Sequence, residues 1–207
     1  MLCDSDAFLL LGTCGLVREA VEILGVGLAD LRRPHPLPFM LDRGVLQKRF
    51  PPGIREKVKS WCAVVEPIME APSPATRQRL QSIEGIDDGE SNLFGLLFEN
   101  HGYLLLSGDK RAMRSLRADS GLNDIFQSLC GRVCCTEIIL LGLLRTLGAK
   151  TLASALAPLR PYNGMLNAVL SMGADSPQDH CQVGFSSYLH DLIRDVGPGF
   201  LLNPHGD

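Results

Sequence analysis

The sequence predicts an α/β domain built on a mainly parallel sheet. Three observations carry that expectation. Short apolar runs at Met1–Cys3, Tyr103–Ser107 and Arg132–Cys135 alternate with longer segments of helical periodicity, the order that builds crossover units. Tyr103–Ser107 is continuously apolar, as in a strand buried on both faces. The chain has 207 residues, of which 45% are hydrophobic, enough for one domain with a substantial core.

Taken in order, Met1–Cys3 forms a very short strand ending at Asp4. A densely apolar helix spans about Ala7 to Leu24. Three prolines (Pro34, Pro36 and Pro38) make Arg32–Leu41 extended. Pro51-Pro52-Gly53 opens a second helix whose stripe Ile54, Val58, Trp61, Val65 and Ile68 steps by four, three, four and three, with Pro67 marking its end. Ser73-Pro74 is a capping residue followed by a first-turn proline, starting a helix that runs to about Ile83. Gly85–Gly89 is a turn. Glu90 then begins a helix that buries Leu93, Phe94, Leu97 and Phe98 and stops at Asn100-His101-Gly102.

After the strand at Tyr103–Ser107, Lys110–Ala118 returns to helix. Thr136 caps a helix from Glu137 to about Leu147. The α/β domain occupies residues 1–148, and residues 149–207 form a helical C-terminal extension with segments at Ala153–Leu159, Met165–Met172 and Ser187–Val196. The tail, Gly197-Pro198-Gly199 with Asn203-Pro204-His205-Gly206-Asp207 after it, is read as mobile.

Composition excludes some classes. A net charge of −3 argues against a dedicated duplex-DNA binder. Seven irregularly spaced cysteines read as reduced thiols of a cytoplasmic protein. Cys134 and Cys135 are adjacent, so in a strand they point to opposite faces, which suits core packing and not zinc. Asp4 and Asp6 occupy the place of a signal peptide's positive region, and no apolar run reaches the length of a membrane span.

The chemistry lies in the acids. Asp4, Asp109 and Glu137 each follow a strand, and ligands of open parallel sheets collect beyond the carboxyl ends of strands. Glu90, in the first turn of a helix, leans in from the side. Such a cluster repels itself and suits a hard cation, Mg²⁺ or Mn²⁺. Each acid also has a simpler role, as a helix cap or as a favourable charge at a helix N-terminus. Lys110, Arg114 and Arg117 recur on one helical face, extended by Arg111. They either guide a phosphate backbone or form an ordinary solvated face.

Gly89-Glu90-Ser91, an apolar helix, a strand and then Ser107-Gly108-Asp109-Lys110 resemble the central segment of PIN-domain nucleases. The opening Met1-Leu2-Cys3-Asp4-Ser5-Asp6 is similar to the start of that family. The resemblance covers about residues 1–148 and implies a PIN-like three-layer α/β/α fold and a metal-dependent endoribonuclease. On it, Asp4, Glu90 and Asp109 are catalytic and hold Mg²⁺ or Mn²⁺, and Lys110, Arg111 and Arg114 bind RNA. The family's fourth acid is not cleanly matched: Asp6 and Glu137 are both candidates, with Asp119 and Asp124 behind them. Toxin-type members are held by an antitoxin, so an antitoxin-like protein joins RNA among the implied partners. The extension makes a homodimer contact or completes the core.

Two other readings compete. One is a PIN-like binding or regulatory module without catalysis. The other is a HAD-type phosphatase, mimicked by Asp4-Ser5-Asp6 and Gly108-Asp109; a three-residue strand and Ala7-Phe8 after the second acid count against it.

Overall fold

The computed structural model describes residues 1–202; the tail from Asn203 onward lies outside the described residues. Five parallel strands form the sheet: β1 (Leu2–Cys3), β2 (Arg32–Arg33), β3 (Glu66–Pro67), β4 (Leu105–Ser107) and β5 (Val133–Cys135), in the spatial order β3-β2-β1-β4-β5. The chain winds outward from β1 through β2 to β3, then crosses to β4 on the other side of β1. The order therefore reverses between β1 and β4, where a crevice opens at the carboxyl ends of the strands.

Side-chain alternation sorts the strand residues into two cores. Cys3, Leu106 and Cys134 face one, while Leu2, Leu105, Val133 and Cys135 face the other. The opposed orientation expected for Cys134 and Cys135 is what the sheet shows, and both are buried.

Helices α1 (Ser5–Cys14) and α2 (Val17–Ile23) follow β1. They replace the single helix expected over Ala7–Leu24. Gly15, at φ 72°, takes the left-handed conformation that ends a helix and redirects the chain. After β2 come α3 (Leu37–Asp42), α4 (Val45–Arg49) and α5 (Pro52–Cys62). The proline-rich stretch is thus only partly extended. Pro36 and Pro38 sit at the cap and first turn of α3, where a missing N–H costs nothing.

The stripe of α5 stops at Cys62. Val65 stays in the same core as α5, but Ile68 packs in the other, because Pro67 does not end a helix: it lies in β3. There it is tolerated because β3 is an edge strand and an edge leaves N–H groups unpaired.

Next come α6 (Pro74–Gln81), capped by Ser73, and α7 (Asp88–Glu99), capped by Asp87. After β4 lie α8 (Lys110–Ala118) and α9 (Asn123–Leu129), which buries Ile125, Phe126 and Leu129. Helix α10 (Thr136–Leu147) follows β5 directly; Thr136 is its first residue and makes no capping bond, in contrast to the role expected for it.

The remaining helices are α11 (Ala149–Leu156), α12 (Gly164–Val169) and α13 (Gln178–Val196), with a 3-10 segment over Ala157–Tyr162. Helix α13 serves both cores: Cys181 and Phe185 belong to one, Leu192 and Val196 to the other. The described part of the tail is not the mobile segment expected from Gly197 onward: Phe200 is buried in the second core, Leu201 bridges Val133 along the outer edge of β5, and the Leu202 amide donates to the Val133 carbonyl at 2.7 Å. That contact covers an edge strand. Among the described residues no helix is long and apolar enough to cross a membrane.

Candidate functional site

The crevice between β1 and β4 is built around Asp4. Its carboxylate caps α1, Oδ1 accepting the Ala7 amide at 2.6 Å. Oδ2 accepts the Ser107 hydroxyl at 2.5 Å and the Gly108 amide at 2.6 Å. One side chain therefore ties the ends of the two strands together across the reversal point. The price is desolvation: Asp4 is 7% exposed, and burial pushes its carboxyl up to about 6 despite three hydrogen bonds that favour the charged form.

Asp109 sits one residue further along. Its amide donates to Ser107 Oγ at 3.1 Å, and its Oδ1 accepts the Ala112 amide at 2.8 Å as the cap of α8. Glu90 approaches from α7, as expected, in a reciprocal capping arrangement. The Asp87 amide donates to Glu90 Oε2 at 2.7 Å, while Asp87 Oδ1 accepts the amides of Gly89 and Glu90. Desolvation first, then the neighbouring Asp87 and Asp109 carboxyls, push Glu90 up to about 9.

Asp87 carries the opposite shift, held down chiefly by its hydrogen bond with Glu90. Sequence reasoning passed over Asp87 as part of a turn. The signal was present: an Asp three residues before a Glu at a helix start is a capping box.

Asp6 is exposed at the mouth of the crevice. Desolvation raises its carboxyl, opposed by Arg49 and reinforced by Asp109 and Asp87, so it faces the same acidic group. Glu137 is placed differently. It is fully buried, forms an ion pair with Lys110 Nζ, and lies 3.3 Å from the Thr136 hydroxyl. Asp124 is paired with Arg79 at 2.7 Å, and Asp119 accepts the Gly121 amide at 2.8 Å.

The basic residues divide as sharply. Lys110 is bound to Glu137 and sits 5.1 Å over the Tyr188 ring. Arg114 pairs with Asp195 of α13 at 2.7 Å. Arg117 lies 5.0 Å over the Phe126 ring. Arg111, well exposed and 3.6 Å from Asp109 Oδ2, is the one of the four that stands beside the acids facing solvent.

The donor set is all carboxylate oxygen, the chemistry a hard cation selects. In position the fit is incomplete. Among the described residues no three His, Cys, Asp or Glu side chains close around a common point. Asp4 commits both oxygens to hydrogen bonds, and Glu137 is neutralised by Lys110.

Next to the acids lies a hollow of about 110 Å³, lined by Asp6, Gly108 and Thr136 together with Arg49, Phe50, Tyr162 and Asn163. Arg49 and Phe50 lie at the end of α4 and just after it, Tyr162 and Asn163 at the end of the 3-10 segment and just after it, and nothing in their spacing marks them in the sequence. No protein-family profile, curated protein or solved structure matches this chain.

Proposed function

We propose that this protein is a PIN-like endoribonuclease dependent on Mg²⁺ or Mn²⁺. The observation that supports the reading is the junction at the reversal point, where Asp4 ties β1 to β4 through Ser107 and Gly108, directly before Asp109, and Asp109 with Asp87 acts on Glu90. Burial first, and the anionic neighbours Asp87 and Asp109 after it, keep the proton on Glu90 into the alkaline range, and a cation would relieve the part that the neighbours cause.

Asp4, Glu90 and Asp109 are the residues that would hold the ion, and Asp6 faces the same space from the mouth. A bound divalent cation supplies an activated water and charge stabilisation at the attacked phosphate. Arg111 is placed to hold the RNA backbone at the edge of the crevice. Lys110 instead holds Glu137, a positioning role at the base of β5.

The test is cleavage of single-stranded RNA with Mn²⁺ or Mg²⁺, wild type beside Asp109→Asn. Asn is as good a helix cap as Asp, so the variant folds. Metal-dependent cleavage that gives 5′-phosphate products and is lost in the variant supports the proposal. Equal activity in both proteins refutes it.

A second reading has its own support. The Lys110–Glu137 pair removes one candidate acid, and the remaining three do not converge, which favours a PIN-like binding module without hydrolysis. Saturable Mn²⁺ binding by a protein that cleaves nothing would select it.

A further inference from the structure

The hollow beside the acids has a composition of its own. Its apolar lining comes from Leu9, Leu10 and Leu159 and from the pair Phe50 and Tyr162, with ring centroids 5.1 Å apart. At about 110 Å³ it holds one heteroaromatic ring and is well below the size of a pocket for a drug-sized ligand.

Arg49 stands at its rim. The guanidinium lies 5.0 Å over the Phe50 ring, and Nη2 donates to the Tyr162 carbonyl at 2.8 Å. Those contacts hold the side chain in place; the charge it acts on is the Asp6 carboxyl, which also lines the hollow, and among the described residues no carboxylate lies within ion-pair distance of Arg49. A pinned, exposed arginine over an aromatic wall is suited to a phosphate.

We propose that this hollow is a base subsite, in which one unpaired nucleobase of a single-stranded RNA sits against Tyr162 while Arg49 takes that nucleotide's phosphate. The inference rests on the ribonuclease reading for the choice of RNA. Asp6, Gly108 and Thr136 also line the hollow, and the Gly108 amide bonds Asp4, so a base seated here brings the adjoining backbone toward the carboxylates. Paired and stacked bases of a duplex cannot enter, so the subsite selects single strands.

The experiment measures binding of a fluorescent single-stranded RNA octamer in EDTA, without hydrolysis. Wild type is compared with Tyr162→Ala, Tyr162→Phe and Arg49→Gln, and the octamer with a strand carrying one abasic position, a duplex and free adenosine monophosphate. Loss of one stacked base weakens binding by about fivefold or more. Tyr162→Ala is expected to show that loss and Tyr162→Phe to restore it. The abasic strand should bind wild type more weakly and be indifferent to Tyr162→Ala. Arg49→Gln, a change at an exposed side chain, should weaken the octamer and flatten its salt dependence.

Binding unchanged in both Tyr162→Ala and Arg49→Gln, equal binding of duplex, or free mononucleotide binding as tightly as the octamer would each overturn the proposal. Because no metal is present, a subsite that passes these tests in a protein that cleaves nothing leaves the inference standing and removes only the catalytic reading.

Discussion

At the residue scale, the energetics of the crevice are set by carboxyls that hold protons more tightly when folded than when unfolded. For Asp4, the stability this gives is complete below about pH 4 and is lost as pH rises through about 6. For Glu90 the window runs from 4.5 to about 9. Glu90→Gln keeps an acceptor for the Asp87 amide and cannot ionise. The metal-free variant is therefore expected to melt above wild type at pH 8, with the gap closing toward pH 5. Mn²⁺ should raise wild type more than the variant, and a gap independent of pH would mean that Glu90 is not crowded. The Lys110–Glu137 pair predicts the converse: removing Lys110 strands a buried charge, so Lys110→Met should cost about 3–5 kcal/mol in urea unfolding, and Glu137→Gln in the same protein should recover much of it. The acids Asp4, Glu90 and Asp109 were legible in the sequence because each follows a strand or opens a helix. Which charge neutralises which was not, because Lys110 and Glu137 meet only through the pairing of β4 with β5.

At the scale of elements, glycines separate close packing from open surface. A Cβ on Gly95 would sit 2.7 Å from the Pro72 ring, which fixes how closely α7 approaches the segment before α6. Gly95→Ala should therefore destabilise by about 1–3 kcal/mol, overriding the gain of roughly 1 kcal/mol that alanine brings to a helix. Gly53, in the first turn of α5, has nothing within 4 Å of an added Cβ, and Gly53→Ala should stabilise by about 0.5–1 kcal/mol. Thermal melts of the pair decide both. Helices α5, α6 and α8 begin where their opening prolines, capping residues and periodicity place them, while α7 begins at Asp88, ahead of the expected Glu90, because Asp87 caps it. Strands β2 and β3 were not legible: two-residue strands carry too little pattern, and Arg33 is read as a strand residue only once its guanidinium is seen buried, bonding the Cys62 and Val65 carbonyls at 3.1 Å.

At the scale of the whole molecule, α13 joins the two cores and Arg114–Asp195 fastens it to α8. Phe185 is fully buried, so Phe185→Ala should cost about 3–5 kcal/mol by denaturant unfolding. It should leave octamer binding intact under conditions where the variant is folded. By contrast Arg114, near half exposed, should cost under about 1 kcal/mol when replaced by Gln. The sequence by itself determined the α/β class, the apolar central strands, the capped helices and the acids at strand ends, because each follows from local periodicity and chemistry within a few residues. Only the tertiary structure decided the order of the strands and hence the reversal point, the neutralisation of Glu137, the approach of Asp109 to Glu90, and the hollow lined by Arg49 and Tyr162. Those depend on contacts between residues far apart in the chain, and the free energy that selects them is that of burying two cores on opposite faces of one sheet.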